Sequence, residues 1–114
     1  RKIMVELEEP IVKTKTEEKT KEKNKHQPLY NVILLNDNYH SFEYVINLCQ
    51  TIFAFTVEKG FEVAKTVDKE GRVILWTGTL EVAELKQEQI HALGKDKLIA
   101  DCQGSMTAIL EPIE

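Results

Sequence analysis

The chain reads as an α+β domain: a small three-stranded sheet with three helices packed on one face, in the order β-α-α-β-α-β. Two observations carry this. Short runs rich in aliphatic and aromatic residues, Val32 to Leu35, Val73 to Trp76 and Met106 to Leu110, have strand length and strand composition. Between them, three longer stretches repeat apolar residues at helical spacing behind a Ser or Thr. Strands too few to bury both faces, with helices long enough to cover one, give the layered α+β arrangement.

The first strand spans about Tyr30 to Leu35, after Pro28, and stops at Asn36-Asp37-Asn38, residues whose side chains favour turns. Ser41 is the expected N-cap of the first helix, with Glu43 in its first turn and an apolar stripe of Phe42, Val45, Ile46, Cys49, Ile52 and Phe53. Thr56 caps the second, whose stripe is Val57, Phe61, Ala64 and Val67. Gly60 inside it costs about 1 kcal/mol relative to Ala, which points to close helix packing. Gly71 is the expected stop, followed by a strand from Arg72 to Gly78. Thr79 caps the third helix, with Glu81 in its first turn, Val82, Ala83, Leu85, Ile90 and Leu93 as its stripe, and Gly94 as its end. Lys95 to Gly104 reads as irregular, and Met106 to Leu110 as the last strand, ended by Pro112.

Of the 114 residues, the first 27 look unlike core material. Lys13 to Lys25 contains no hydrophobic residue and buries too little to offset its ordering entropy, so residues 1–27 are expected to be a disordered extension and 28–114 a single domain. Charge divides the same way. The extension carries 8 basic and 6 acidic residues, the remainder 7 basic and 13 acidic. An acidic domain disfavours nucleic acid and favours amino-bearing partners. No apolar stretch approaches a membrane span and no signal peptide is visible, so the chain is read as cytoplasmic, without membrane association. It begins with Arg rather than Met, which leaves open whether the N-terminus is complete.

Candidate chemistry concentrates in the loop after the first strand. Asn36, Asp37, Asn38 and His40 offer amide, carboxylate and imidazole groups at the end of a buried strand, a placement that serves either a turn or a polar ligand. A metal pair of Asp37 and His40 is a weaker reading, since two ligands do not make a site. Cys49 falls in a helical apolar pattern as a buried thiol, Cys102 has no partner in a C-x-x-C pair, and a disulfide between the two stays open. No glycine-rich phosphate loop or nucleophile elbow is present. Catalysis has no support, and neither cofactor nor metal is expected.

Two motifs go further. Tyr30-Asn31-Val32-Ile33-Leu34-Leu35-Asn36-Asp37-Asn38-Tyr39, continued by Phe42-Glu43-Tyr44-Val45-Ile46, is one; Gly78-Thr79-Leu80-Glu81-Val82-Ala83-Glu84-Leu85-Lys86 is the other. Over about Pro28 to Glu111 they resemble the ClpS family, bacterial adaptors that feed N-degron substrates to a Clp ATPase. The resemblance implies the same three-strand, three-helix fold and no enzymatic activity. It implies binding of a substrate's free α-amino group, with an adjoining apolar pocket for its first side chain: Leu, Phe, Tyr or Trp.

By position, Asn36, Asp37, Asn38 and Asp68 are then the α-amino-binding residues, and His40, Phe42, Val45, Ala64, Val67 and Met106 line the pocket. Glu81 and Lys86 match the family's acid and base that dock on the N-terminal domain of the Clp-type AAA+ ATPase. Several positions depart from the pattern. Asp68 stands where the family has an amine-binding His, Ala64 and Phe42 each where it has Met, Asn38 where Asp is usual, and His40 where Thr is usual. Several residues are inserted after Gly94. Asp68 would replace a neutral hydrogen bond to the ammonium by an ion pair. The alternative is a divergent interaction domain that docks on an ATPase or another partner without reading N-terminal residues.

Overall fold

In the computed structural model, which describes residues 28–113, six elements follow one another. They are β1 (Leu29–Leu35), α1 (Phe42–Phe53), α2 (Val57–Glu70), β2 (Arg72–Gly78), α3 (Leu80–His91) and β3 (Ala108–Ile113). This is the α+β order read from the sequence. The disordered extension assigned to residues 1–27 lies outside the described residues.

The sheet order is β2-β1-β3, with both pairings antiparallel. β1 is therefore central, which explains its aliphatic run: Val32, Ile33 and Leu34 are all fully buried. Val32 and Leu34 face the core with Val73 and Leu75 of β2 and Ala108 of β3, where they meet Val45, Leu48, Cys49 and Ile52 of α1, Val63 and Ala64 of α2, and Ala83 and Ile90 of α3. Leu75 is the extra residue of an irregularity opposite Val32 and Ile33. On the other face, Arg72 and Glu111 pair at 2.7 Å, from one edge strand to the other.

The caps show how local chemistry sets the helix starts. Ser41 Oγ accepts the Tyr44 N–H at 3.1 Å and Thr56 Oγ1 the Lys59 N–H at 3.1 Å. Thr79 holds the N-cap position of α3 but makes no side-chain cap. Gly60 is buried, and a Cβ there would lie 3.2 Å from the Ile46 Cα, so glycine permits the close approach of α2 to α1. Gly71 ends α2 at φ 87°, in the left-handed region that glycine occupies without strain.

Several expectations need correction. β3 is Ala108–Ile113, so Pro112 lies inside it; an edge strand tolerates the missing N–H. α3 ends at His91, before Gly94. Val57 and Phe61 are exposed, and α2 instead buries Gly60, Val63, Ala64 and Val67. On α3 only Ala83 and Ile90 are buried, while Val82 and Leu85 are exposed. Both cysteines are free and buried, which settles the open disulfide. Among the described residues no helix is long and apolar enough to cross a membrane.

Candidate functional site

The end of β1 is fixed before the candidate loop begins. The Leu35 N–H donates to Thr107 O and the Asn36 N–H to Gly71 O, each at 3.0 Å, so the turn starts between the approach to β3 and the corner from α2 to β2. Asp37 then folds the loop on itself: its Oδ1 accepts the Tyr39 N–H at 2.9 Å and meets His40 Nδ1 at 2.7 Å.

This loop, the start of α1 and the last turns of α2 enclose a cavity of about 30 Å³. Its polar lining is Asn36, Asp37, His40, Ser41 and Asp68; its apolar lining is Phe42, Val45, Ala64, Val67 and Met106. Nine of the ten residues assigned to amine and side-chain recognition thus meet in one place. The tenth, Asn38, is exposed and does not line the cavity. The turn that brings Asp37 and His40 inward leaves Asn38 at its tip.

Val45, Ala64, Val67 and Met106 belong to the buried core, so their side of the cavity is fixed. Phe42 is 37% exposed and meets the edge of Phe61, 43% exposed, with ring centroids 5.8 Å apart. A cavity of roughly 150 Å³ admits a benzene-sized ring, so a space near 30 Å³ is small for a bulky side chain. A larger open groove, about 470 Å³, runs along α2 from Thr56 to Thr66 beside Val73 and holds none of the assigned residues.

Behind the loop lies a second polar layer supplied by the segment after α3. The His40 side chain is only 3% exposed, and its Nε2 lies 2.8 Å from Gly104 O and 3.3 Å from Cys102 Sγ. Asp96, 4% exposed, accepts the Ser41 N–H at 2.6 Å and the Leu98 N–H at 2.9 Å, and its own N–H donates to Cys102 Sγ at 3.1 Å. Burial pushes the Asp96 carboxyl up, but the hydrogen bonds from Ser41 and Leu98, with His40 nearby, outweigh it and hold the group below the usual carboxylate range. The Tyr44 hydroxyl donates to Gly94 O, and burial pushes it up to about 12. Cys49, buried in the core, is likewise pushed up to about 11. Among the described residues no group of three His, Cys, Asp or Glu could hold a metal ion.

Sequence reasoning missed Phe61, Asp96, Cys102 and Gly104 as neighbours of the site. Their partners lie 19 to 64 positions away, and no local pattern signals such contacts.

The two docking candidates on α3 part company. Glu81 is exposed. Lys86 turns inward: its Nζ donates to Ile52 O at 2.9 Å and lies 5.4 Å from the Phe53 ring centroid, capping the end of α1.

The family model described as "ATP-dependent Clp protease adaptor protein ClpS" matches residues 25–98, more than half the chain. The chain belongs to the ClpS family. Relatives carry the same description: a ClpS adapter of Desulforapulum autotrophicum is 34% identical over 91 residues, 80% of this chain and 88% of the relative. One of Edwardsiella ictaluri is 38% identical over 80 residues, 70% and 76% of the two chains. Among solved structures, Agrobacterium tumefaciens ClpS2 bound to L-phenylalaninamide superposes with a TM-score of 0.67 at 26% identity, covering 77% of this chain and all of that one. The ClpS family is one of protease adaptors, so the chain is an adaptor-family protein and not an enzyme. The match to the family model stops inside the segment that follows α3.

Proposed function

We propose that this chain binds the free α-amino group and the bulky hydrophobic first side chain of N-degron proteins, and delivers them to a Clp AAA+ ATPase in the cytoplasm. The observation that carries this is the meeting, in one cavity, of Asn36, Asp37 and Asp68 with Phe42, Val45, Ala64, Val67 and Met106. An ammonium has three donors and no acceptor, so it is matched by an amide oxygen and two carboxylates. A buried first side chain gains roughly 25 cal/mol per Å² of apolar area removed from water. The family relatives named as adapters of a Clp protease, and a relative solved with an amino-acid amide, support the same reading.

On α3, Glu81 with its exposed neighbours Leu80, Val82 and Leu85 forms the ATPase-facing surface, with Lys86 shaping it from beneath. The small cavity favours one rival, an interaction domain that docks without reading N-termini. Fluorescence anisotropy separates the two, using short peptides that start in Leu, Phe, Tyr, Trp, Ile or Glu, each with a free and an acetylated N-terminus. The adaptor binds some free bulky termini and loses them on acetylation. Absence of binding to every peptide leaves the rival.

A further inference from the structure

We infer that His40 is the positioning residue of the amine site, holding the Asp37 carboxylate in place from the segment that follows α3. The inference rests on the amine-binding reading above and adds a residue that acts through another.

His40 is almost wholly buried and both its ring nitrogens are engaged. Nδ1 meets Asp37 Oδ1 at 2.7 Å and Nε2 meets Gly104 O at 2.8 Å. A carboxylate and a carbonyl oxygen only accept, so whichever ring nitrogen carries a proton donates to the acceptor it faces, and the ring bridges the two segments. Cys102 completes the hub: its thiol donates to Gly104 O at 3.2 Å while its sulfur accepts the Asp96 N–H. Asp96 closes the circuit by accepting the Ser41 N–H, one residue beyond His40. The remaining group facing the ring is Tyr44, with centroids 4.5 Å apart.

The consequence falls on Asp37. Its Oδ1 is taken by the Tyr39 N–H and His40, while its other oxygen has no hydrogen-bond partner among the described residues and is the one left for an ammonium. The Asp37 side chain is 32% exposed, and without the imidazole only a backbone N–H two residues away would orient it. A binding group must be held within roughly 0.5 Å of its productive geometry to keep its full value. The segment from Lys95 to Gly104, inside which the match to the family model ends, thus works as a buttress for the amine site rather than as a passive loop.

A double-mutant cycle tests this, with anisotropy of a free-amine Phe-led peptide on the unaltered chain, His40→Ala, Asp37→Ala and the double variant. His40→Ala should weaken binding about tenfold, keep the Leu, Phe and Trp ranking, and cost nothing further in the Asp37→Ala background. A second measurement needs no variant to fold: NMR of the imidazole nitrogens in the unaltered chain. The His40 ring-nitrogen signals should shift with the free-amine peptide and stay still with its acetylated form. Full affinity in His40→Ala, an equal loss in both backgrounds, or His40 signals unmoved at saturation would each overturn the inference while the amine reading stands. If the unaltered chain binds no free-amine peptide, that reading falls, and this inference with it.

Discussion

The two sides of the cavity are held by opposite means. The acceptor loop from Asn36 to Ser41 is fastened from several parts of the chain: Gly71 takes the Asn36 N–H, Gly104 and Cys102 hold His40, and Asp96 holds Ser41. Phe42, the very next residue, has an exposed ring whose aromatic partner, Phe61, is itself exposed. A preorganised group loses little on binding, whereas a loose wall adapts to its guest. The contrast teaches that the demand for a free amine should be strict, while the preference among bulky side chains should be easy to retune.

The largest expected effect comes from breaking the rigid side. Asp37→Ala should cost about 2 to 3 kcal/mol of free-amine peptide binding, as for a lost hydrogen bond between charged groups, read by anisotropy. Asp68→Ala should cost less and chiefly at low salt, because the residue is exposed and its attraction is screened. If Asp68→Ala leaves affinity untouched at every ionic strength, Asp68 is only a solvated helix end.

Asp96→Asn probes the same side through stability. With its folded-state pKa held below the ordinary value, Asp96 contributes in full above the unfolded carboxylate range, near pH 4. That contribution is lost as pH falls through the folded value. The variant should melt earlier at neutral pH, by about 2 kcal/mol for the charge-assisted bonds weakened, and its melting curve should be flatter below about pH 4. A parallel pH dependence in both proteins would show that the carboxylate does not hold the loop.

The loose side should respond differently. Phe42→Ala should shift relative affinity among Leu, Phe, Trp and Ile peptides by about 1 kcal/mol, the scale of a changed apolar contact, and leave the effect of acetylation intact. A loss of amine dependence instead would mean the two sides are not separable. The smallest effect lies away from the site. Ala54 closes α1 at φ 57°, a conformation costing a non-glycine residue about 1 kcal/mol. Ala54→Gly should raise the melting temperature and change no peptide affinity.

What was legible in the sequence divides along similar lines. Ser41 and Thr56 could be read as caps because a cap is a contact over three residues. β1 could be read because the central strand carries an unbroken aliphatic run from Val32 to Leu35. The end of β3 could not, since an edge strand accepts Pro112 where a central one would not. Val57, Phe61, Val82 and Leu85 fit helical stripes yet face solvent, because periodicity marks an apolar face without saying how much of it the partner elements cover. Of the site, motif resemblance supplied every residue that lines the cavity but Ser41, and added Asn38, which does not line it. The hub of His40, Asp96, Cys102 and Gly104 was invisible, because it joins two irregular segments through contacts that leave no periodic or spacing signal. The contact of Lys86 with Ile52 O was invisible for a related reason: its partner lies 34 residues away.

The most direct test of the account is an amide NMR titration with L-phenylalaninamide, set against its N-acetyl derivative. The account requires saturable shifts at Asn36, Asp37, Ala64 and Asp68 with the free amine, and none of them with the acetylated compound. Equal shifts with both compounds, or no shifts at these residues, would contradict it.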